Sequence, residues 1–498
     1  MTDQMFDIAV IGGGINGAAV ARDAVGRGHS VYLAERADYA EGTSSRSSKL
    51  IHGGIRYLEQ YEFRLVRESL HERETLMAIA PHIVFPLRFL VPIKKGQDRP
   101  AWMVRLGLFF YDFLSGRKLL ARSGRLTSAE RAELPRLRAV GLSSVLHYPD
   151  CWCDDARLTL ETLLDARARG ADLGNRREVE EITPLDNGYA LRVRSGGQRR
   201  TVHARFVVNA AGPWATEVLN RAQAIGSNRT LKLVRGSHVI VAMPNPKDPN
   251  AYLLQNADGR VVFVIPWLDD RYRILGTTDV PHEGDPADPH CSQEERDYIL
   301  DIYNRYFDDH LDADNVLATY SGVRPLVDDG EDNPSKISRE YELDVHRSGN
   351  GAFLTIFGGK LTTHRKLGEL VLSRLEELGL AQRPAWTDTE PLHGGSLDRA
   401  ALADLAAGGP GQLPVMVRRR WVFTYGDQAK ALFEAVAQDR ALAEMVVPGV
   451  PLAELVHARD VEDACTGDDF LTRRTKLYMD LDQQDRETIN QWFRKNVT

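Results

Sequence analysis

The chain has 498 residues, 43% hydrophobic and 27% charged, with 41 glycines and 23 prolines; at about 150 residues per domain this fits two to four globular domains and excludes a small module, a disordered chain or a collagenous one. Its 63 lysines and arginines stand against 70 acids, a net charge of -7. No global basic field therefore exists for nucleic acid or an anionic surface, and any anion site is local.

Residues 1–7 lack the basic start and small-residue cleavage site of a signal peptide, which reads as cytoplasmic. Residues 6–11 form a short apolar run, followed by Gly12, Gly13 and Gly14, a small-residue helical stretch to about Arg27, and an apolar stretch over 30–34. That order is a βαβ unit. Within it Gly12-x-Gly14-x-x-Gly17 sits between strand and helix, and Glu35 ends the next strand. The first glycine permits the tight turn, the second lets a pyrophosphate approach the backbone, and the third lets helix pack on sheet, while the acid is placed to hold an adenosine ribose.

Thr43, Ser44, Ser45, Ser47 and Ser48 follow directly, ahead of Lys49 and Leu50. A hydroxyl-rich stretch is ordinarily a solvated loop or a set of helix caps, but after a ribose-binding acid it is placed to continue along the pyrophosphate. Over 99–125, Arg99, Arg105, Arg117, Lys118, Arg122 and Arg125 face Asp112 alone. Drawn as a helix, Trp102, Leu106, Phe109, Phe110 and Phe113 share one broad apolar face there, while Arg105 and Asp112 share a narrow polar stripe. The two charges interrupt the run, so it does not span a bilayer; it suits a helix lying in the headgroup region of the cytoplasmic membrane face, with an ordinary buried helix as the alternative.

From 179 to 208 apolar and polar positions alternate, broken by Asp186-Asn187-Gly188 and Ser195-Gly196-Gly197, which predicts an antiparallel meander of about three strands. The strand over 205–209 runs into Ala210-Ala211-Gly212-Pro213-Trp214, small residues suited to returning to the dinucleotide. Residues 232–243, 260–266 and 273–276 read as strands of a second sheet-containing region. The strand over 353–357 feeds Gly358-Gly359-Lys360-Leu361-Thr362-Thr363 and then a helix, whose N-terminus is suited to stabilise negative charge such as that on the N1 to C2 carbonyl edge of a reduced flavin. After Leu397 helical patterns alternate with glycine and proline breaks. The four cysteines, Cys151, Cys153, Cys291 and Cys465, are too few for a disulfide framework. Cys151-x-Cys153 is too closely spaced for the usual zinc pair, and His71-Glu72-Arg73-Glu74 lacks the second histidine of a zinc-protease motif. No metal is expected.

These pieces, in this order, resemble the flavin-dependent glycerol-3-phosphate dehydrogenases of the glycine oxidase and D-amino acid oxidase superfamily. The resemblance runs through Val-Ile-Gly-Gly-Gly-Ile-Asn-Gly (10–17), Ser-Ser-Lys-Leu-Ile-His-Gly-Gly (47–54), Arg-Tyr-Leu-Glu (56–59), Tyr-Glu-Phe-Arg-Leu-Val (61–66) and Arg-Gly-Ser-His (235–238). It continues through Val-Phe-Val-Ile-Pro-Trp (262–267), Gly-Thr-Thr-Asp (276–279), Tyr-Ser-Gly-Val-Arg-Pro-Leu (320–326) and Phe-Gly-Gly-Lys-Leu-Thr-Thr (357–363).

The resemblance implies an α/β fold: a Rossmann-like FAD-binding domain, an antiparallel-sheet substrate cap and a helical C-terminal domain. The expected division is FAD-binding over about 1–90, 145–225 and 340–390, cap over about 226–340, and helical domain over 391–498. The expected cofactor contacts are Gly12, Gly14, Ile15, Asn16, Gly17, Glu35, Arg36, Thr43, Ser44, Ser45, Ser47, Lys49, Leu50, Ala211, Gly212, Trp214, Gly358, Gly359, Lys360, Leu361 and Thr362. Two positions depart from the pattern: His364 stands where the motif has tyrosine, and after Leu397 only Arg473-Arg474-Thr475-Lys476 matches closely.

A glycerol phosphate is a small dianion beside a secondary alcohol, so its site needs fixed cations and a group to manage the hydroxyl proton. Arginine suits the first task through its bidentate fork, and the resemblance assigns Arg56, Arg324 and Arg339, with Tyr57 and Lys360. His52 and His238 are candidates for the proton, and Lys360 is a third if its pKa is lowered. The implied reaction is hydride transfer to the flavin, giving dihydroxyacetone phosphate, with electrons passed to ubiquinone or menaquinone at the membrane surface. Two alternatives are a soluble oxidase using dioxygen, whose inserted segment is not seen here, and a non-catalytic flavin-binding sensor, against which the joint presence of Arg56, Arg324, Arg339 and Lys360 argues. The oligomeric state stays open, a homodimer included.

Overall fold

The computed structural model describes residues 5–96, 99–116, 119–223, 225–227, 229–244, 248–328, 330 and 341–497, the side chains of Arg56 and Gln60 excepted. The strand Met5–Ile11 (β1), the helix Ile15–Gly26 (α1) and the strand Val31–Ala34 (β2) form the N-terminal βαβ unit. Ile8, Ala9 and Val10 are fully buried, because a parallel strand covered on both faces reads as a continuous apolar run. β1 lies between β2 and the strand Gln198–Asn209, parallel to both, with Ile8 in register with Val31 and Phe206. Gly351–Phe357 extends the sheet on one side and Asp172–Gly174 on the other.

α1 and the helices Asp155–Ala168 and His364–Glu377 cover one face of this sheet. The other face is closed by the strands Arg177–Leu185 and Gly188–Ser195, which form with Gln198–Asn209 the meander that the alternating pattern in the sequence predicts, and by the helix Ala215–Asn220.

A second sheet is built from Leu231–Ala242, Ala251–Gln255, Val261–Trp267, Tyr272–Gly276 and Val316–Val327. It also takes in Leu50–Ile51, Val84–Lys94 and Leu142–Cys153, stretches that the sequence reading placed largely with the dinucleotide-binding part. Val84–Lys94 joins it through a parallel pairing with Ala251–Gln255, a partner far along the chain, and local periodicity carries no information about such a partner. The helices Phe63–Ile79 (α2) and Ala101–Leu114 (α3) share a core with one face of this sheet. The helix Gln293–Tyr306, opened by a capping box between Ser292 and Glu295, packs on the other. α3 buries only Leu108 and Tyr111 and leaves Trp102, Phe109 and Phe113 at 68%, 62% and 75% exposure.

The C-terminal region is helical, with one core around Trp421 and another around Phe470 and Phe493. It docks on the first region through buried ion pairs. Arg157 meets Glu462 at 2.6 Å, Arg473 meets Asp38 at 2.6 Å, and Lys476 pairs with Asp154. Burial pushes the Asp38 carboxyl up, but the guanidinium groups of Arg474 and Arg473 outweigh it and hold the group well below the usual carboxylate range. Arg473-Arg474-Thr475-Lys476 is thus a docking strap between the two regions.

Candidate active site

The turn after β1 has no room for side chains. Gly12 holds φ +114°, and a Cβ there would lie 2.7 Å from the Ala210 carbonyl oxygen. A Cβ on Gly17 would come within 2.0 Å of the Gly12 oxygen. Gly14 is different: a Cβ there would meet only Ser44 Oγ, at 3.1 Å, so the fold itself does not require a glycine and the need lies in what approaches from outside. α1 has no side-chain cap; the Ile15 amide donates to Ser44 Oγ at 2.9 Å. Glu35 accepts the Gly13 and Ala37 amides, each at 2.7 Å, and burial pushes its carboxyl up against those bonds.

A cavity of about 390 Å³ starts along this edge. Gly12, Gly14, Ile15, Asn16, Glu35, Arg36, Thr43, Ser44, Ser47 and Leu50 line it, with Ala211, Gly212, Trp214, Gly358, Gly359, Lys360, Leu361 and Thr362. Arg36 stacks on the Trp214 ring at 4.7 Å. Asn16 Nδ2 donates to the Gly358 oxygen at 3.0 Å, and its Oδ1 is buried without a hydrogen-bond partner among the described residues. A helix start whose N-cap residue is a glycine without a side chain, a close backbone approach at Gly12 and Gly14, a buried acid at the next strand end and that orphaned amide oxygen together fit a flavin dinucleotide.

Several expected residues are elsewhere. Gly17 is packed inside α1, and Ser45 is not on the cavity wall. Lys49 is buried, bonding Asp155 at 2.7 Å and the Ser45 oxygen at 3.1 Å. The glycine pair 358–359 does not open a helix: a turn over 360–363 separates it from His364, where the helix begins. His364 is buried away from the cavity, with Nδ1 within 2.7 Å of the Leu361 oxygen. The Arg56 side chain and Arg339 lie outside the described residues.

One part of the cavity wall is cationic. Arg324 pairs with Asp279, and its Nη2 donates to Thr277 Oγ1 at 3.1 Å. A Cβ on Gly236 would lie 2.4 Å from that Nη2, so the glycine makes space for the fork. The Lys360 ammonium sits 3.8 Å from the Tyr57 ring centroid. His52 is on the wall, edge-on to Phe263 at 6.1 Å. His238 is not. Its Nε2 lies 2.8 Å from Ser48 Oγ, its ring stacks on Tyr320 at 4.6 Å, and burial, with the charges of Arg324 and Lys49, holds it well below the ordinary histidine range.

Sequence reasoning missed Gly236, Phe263, Thr277, Asp279 and Tyr148, all on the wall. The first four sit inside the matching segments and carried that signal; Tyr148 had none.

Residues 7–365 match the model of the family described as FAD dependent oxidoreductase, and residues 385–493 match that of the C-terminal domain of alpha-glycerophosphate oxidase. The chain is 43% identical to a D-erythritol 1-phosphate dehydrogenase of Brucella abortus (strain 2308), over 98% of each protein. It is 41% identical to the aerobic glycerol-3-phosphate dehydrogenase of Escherichia coli (strain K12), over 98% of this chain and 97% of that one. The crystal structure of a glycerol-3-phosphate dehydrogenase from Bacillus halodurans complexed with FAD superposes with a TM-score of 0.79 at 29% identity, covering 99% of this chain and 91% of that one.

Proposed function

The chain belongs to the FAD dependent oxidoreductase family, and on that premise we propose that it oxidises sn-glycerol 3-phosphate to dihydroxyacetone phosphate. The observation that carries the reading is the cationic part of the cavity wall, where Arg324 and Lys360 stand with His52 and Tyr57, in a chain whose full-length relatives are polyol-phosphate dehydrogenases. FAD, when bound, supplies the hydride acceptor.

The protein's own part is to hold the substrate and its proton. Asp279 and Thr277 fix the plane of Arg324, so the fork is already oriented for a phosphate and little freedom is lost on binding. Arg56 and Arg339 join it on sequence grounds. Lys360 places a positive charge beside the oxygen from which a proton leaves, and the Tyr57 ring steadies that charge. Of the two histidines, His52 is on the wall and takes the hydroxyl proton. His238 stays behind Ser48 and orients it.

The electron acceptor in this reading is a membrane quinone, with the enzyme peripheral or monotopic on the cytoplasmic face. Among the described residues no helix is long and apolar enough to cross a membrane. α3 instead exposes Trp102, Leu106, Phe109, Phe110 and Phe113 on one surface, and Arg99, Arg105, Arg122 and Arg125 accompany it in sequence, a pattern suited to the headgroup layer of an anionic bilayer. A boundary near residue 390 between the catalytic region and the helical domain belongs to the same reading.

Anaerobic mixing of the purified yellow protein with glycerol 3-phosphate tests the proposal: the flavin absorbance bleaches and a soluble quinone restores it. Unchanged absorbance refutes it. The Brucella relative favours D-erythritol 1-phosphate as a second substrate, one carbon longer; bleaching by that compound alone would select it.

A further inference from the structure

Tyr148 stands on the strand Leu142–Cys153, is 2% exposed, and lines the cavity. Its ring stacks on Phe89 at 5.2 Å and meets the edge of Tyr111 at 5.7 Å. The two neighbouring tyrosines differ in how their hydroxyls are used. That of Tyr111 receives the Gly53 amide and donates to Asp150. That of Tyr148 makes no hydrogen bond to any described residue and is not among the atoms sealed from the cavity. Buried hydroxyls are almost always bonded, and burying one without a partner is unfavourable, so a hydroxyl that opens on the cavity and meets no described residue is available to bond a ligand that displaces solvent there.

Its place on the wall says which part of the ligand. Tyr148 leads through Phe89 to Phe263, at 5.9 Å, and from Phe263 to His52, at 6.1 Å. It therefore stands on the His52 side of the wall. Around it the wall is apolar, with Ile55 and Phe263. With the phosphate on Arg324 and the reacting hydroxyl at His52 and Lys360, a phosphorylated triol still has one hydroxyl to satisfy. Burial and the charge of Asp150 push the Tyr148 phenol well above its ordinary value, so it remains a donor at neutral pH.

We propose that Tyr148 is the specificity-determining contact for the terminal hydroxyl of the substrate, donating a hydrogen bond to it and so selecting phosphorylated triols and tetritols over phosphorylated diols. This rests on the polyol-phosphate reading above. A site built to bond a hydroxyl rejects the analogue lacking it, because the site's own polar group is then left unpaired.

The test compares holoenzyme of wild type and Tyr148→Phe. Anaerobic flavin bleaching gives kcat/KM for glycerol 3-phosphate and for propane-1,2-diol 1-phosphate of matching configuration, which lacks only the terminal hydroxyl. Perturbation of the oxidised flavin spectrum gives Kd for dihydroxyacetone phosphate and for hydroxyacetone phosphate, the corresponding product pair. The wild type is expected to favour the hydroxylated member of each pair by about tenfold or more. In Tyr148→Phe both ratios fall towards one, because the hydroxylated member weakens while its partner is unchanged. Ratios kept at the wild-type value, an equal loss on both members, or a wild type that does not discriminate would each overturn the assignment while leaving the polyol-phosphate reading intact. Absence of bleaching by glycerol 3-phosphate and D-erythritol 1-phosphate alike overturns that reading, and Tyr148 with it.

Discussion

The Tyr111 hydroxyl accepts a hydrogen bond from the Gly53 amide at 2.8 Å. It donates in turn to Asp150, which Arg73 holds at 2.7 Å. Tyr111 is on the buried side of α3, whose outer side is apolar and exposed, and Gly53 follows His52 in the loop that forms the cavity wall. One buried hydroxyl therefore ties the surface helix to the active-site loop. Tyr111→Phe leaves the Gly53 amide unpaired, a loss of about 1–3 kcal/mol. We expect a lower Tm and a kcat/KM for glycerol 3-phosphate reduced about tenfold, with flavin content unchanged. Wild-type kinetics would show that the loop holds its place without Tyr111.

The two glycines of the α1 turn fail in different ways. Gly17→Ala drives a methyl into the Gly12 carbonyl, so the turn cannot form and the protein is expected to be insoluble or unfolded. The Cβ of Gly14→Val meets only the Ser44 hydroxyl within the chain, at 3.1 Å, so the variant is expected to fold but to block the pyrophosphate and come out colourless. Circular dichroism and the flavin-to-protein absorbance ratio separate the two. A folded Gly14→Val protein with full flavin would sink the dinucleotide assignment.

Arg324→Ala removes the proposed phosphate fork together with its ion pair to Asp279, itself 5% exposed. A lost charge-assisted bidentate contact of about 3 kcal/mol lowers kcat/KM for glycerol 3-phosphate by about a hundredfold. Flavin content, read from the visible spectrum, stays close to wild type. Unaltered kinetics would make Arg324 structural.

In the proposed reading, attachment to a membrane depends on the exposed side of α3. Phe109 and Phe110 are 62% and 42% exposed, so replacing both by aspartate disturbs little of the core. The expected outcome is that wild type sediments with anionic vesicles at raised salt and Phe109→Asp/Phe110→Asp, verified as folded, does not. Equal sedimentation of the two proteins would assign the anchor to another surface.

The docking of the helical region is sensitive to acid. Burial alone pushes the Glu462 carboxyl up, yet Arg157 and His457 bring it down from 4.5 to about 2. A carboxyl depressed in the folded state contributes stability that is complete above its unfolded value and disappears as pH falls through its folded one. The window is therefore pH 4.5 down to about 2, and the contribution is about 3 kcal/mol. Stability measured by urea unfolding should fall in this range, and Glu462→Gln should flatten part of the fall. An acid limb of the same steepness in both proteins would show that other carboxylates dominate it.

The N-terminal βαβ unit, the meander over 177–209 and the strand before Gly358 were legible because each is specified within a few turns of chain, by an apolar run, a two-residue alternation or a glycine that no side chain can replace. The matching segments likewise carried Arg324, Lys360 and His52 to one site. What local pattern does not contain is the partner of a buried group. Nothing near Val84–Lys94 names Ala251–Gln255 as its neighbour, nothing near Lys49 names Asp155 as its counter-charge, and the two histidines look alike until one turns to the cavity and the other to Ser48. Tyr111 and Tyr148 are the plainest case. In sequence nothing separates the two tyrosines, and the fold alone shows that one hydroxyl is satisfied while the other meets no described residue. The local elements, the nucleotide turn and the chemistry at hand follow from short stretches of chain; pairing between distant strands, which depends on register and on the closing of long loops, sets which of those groups meet.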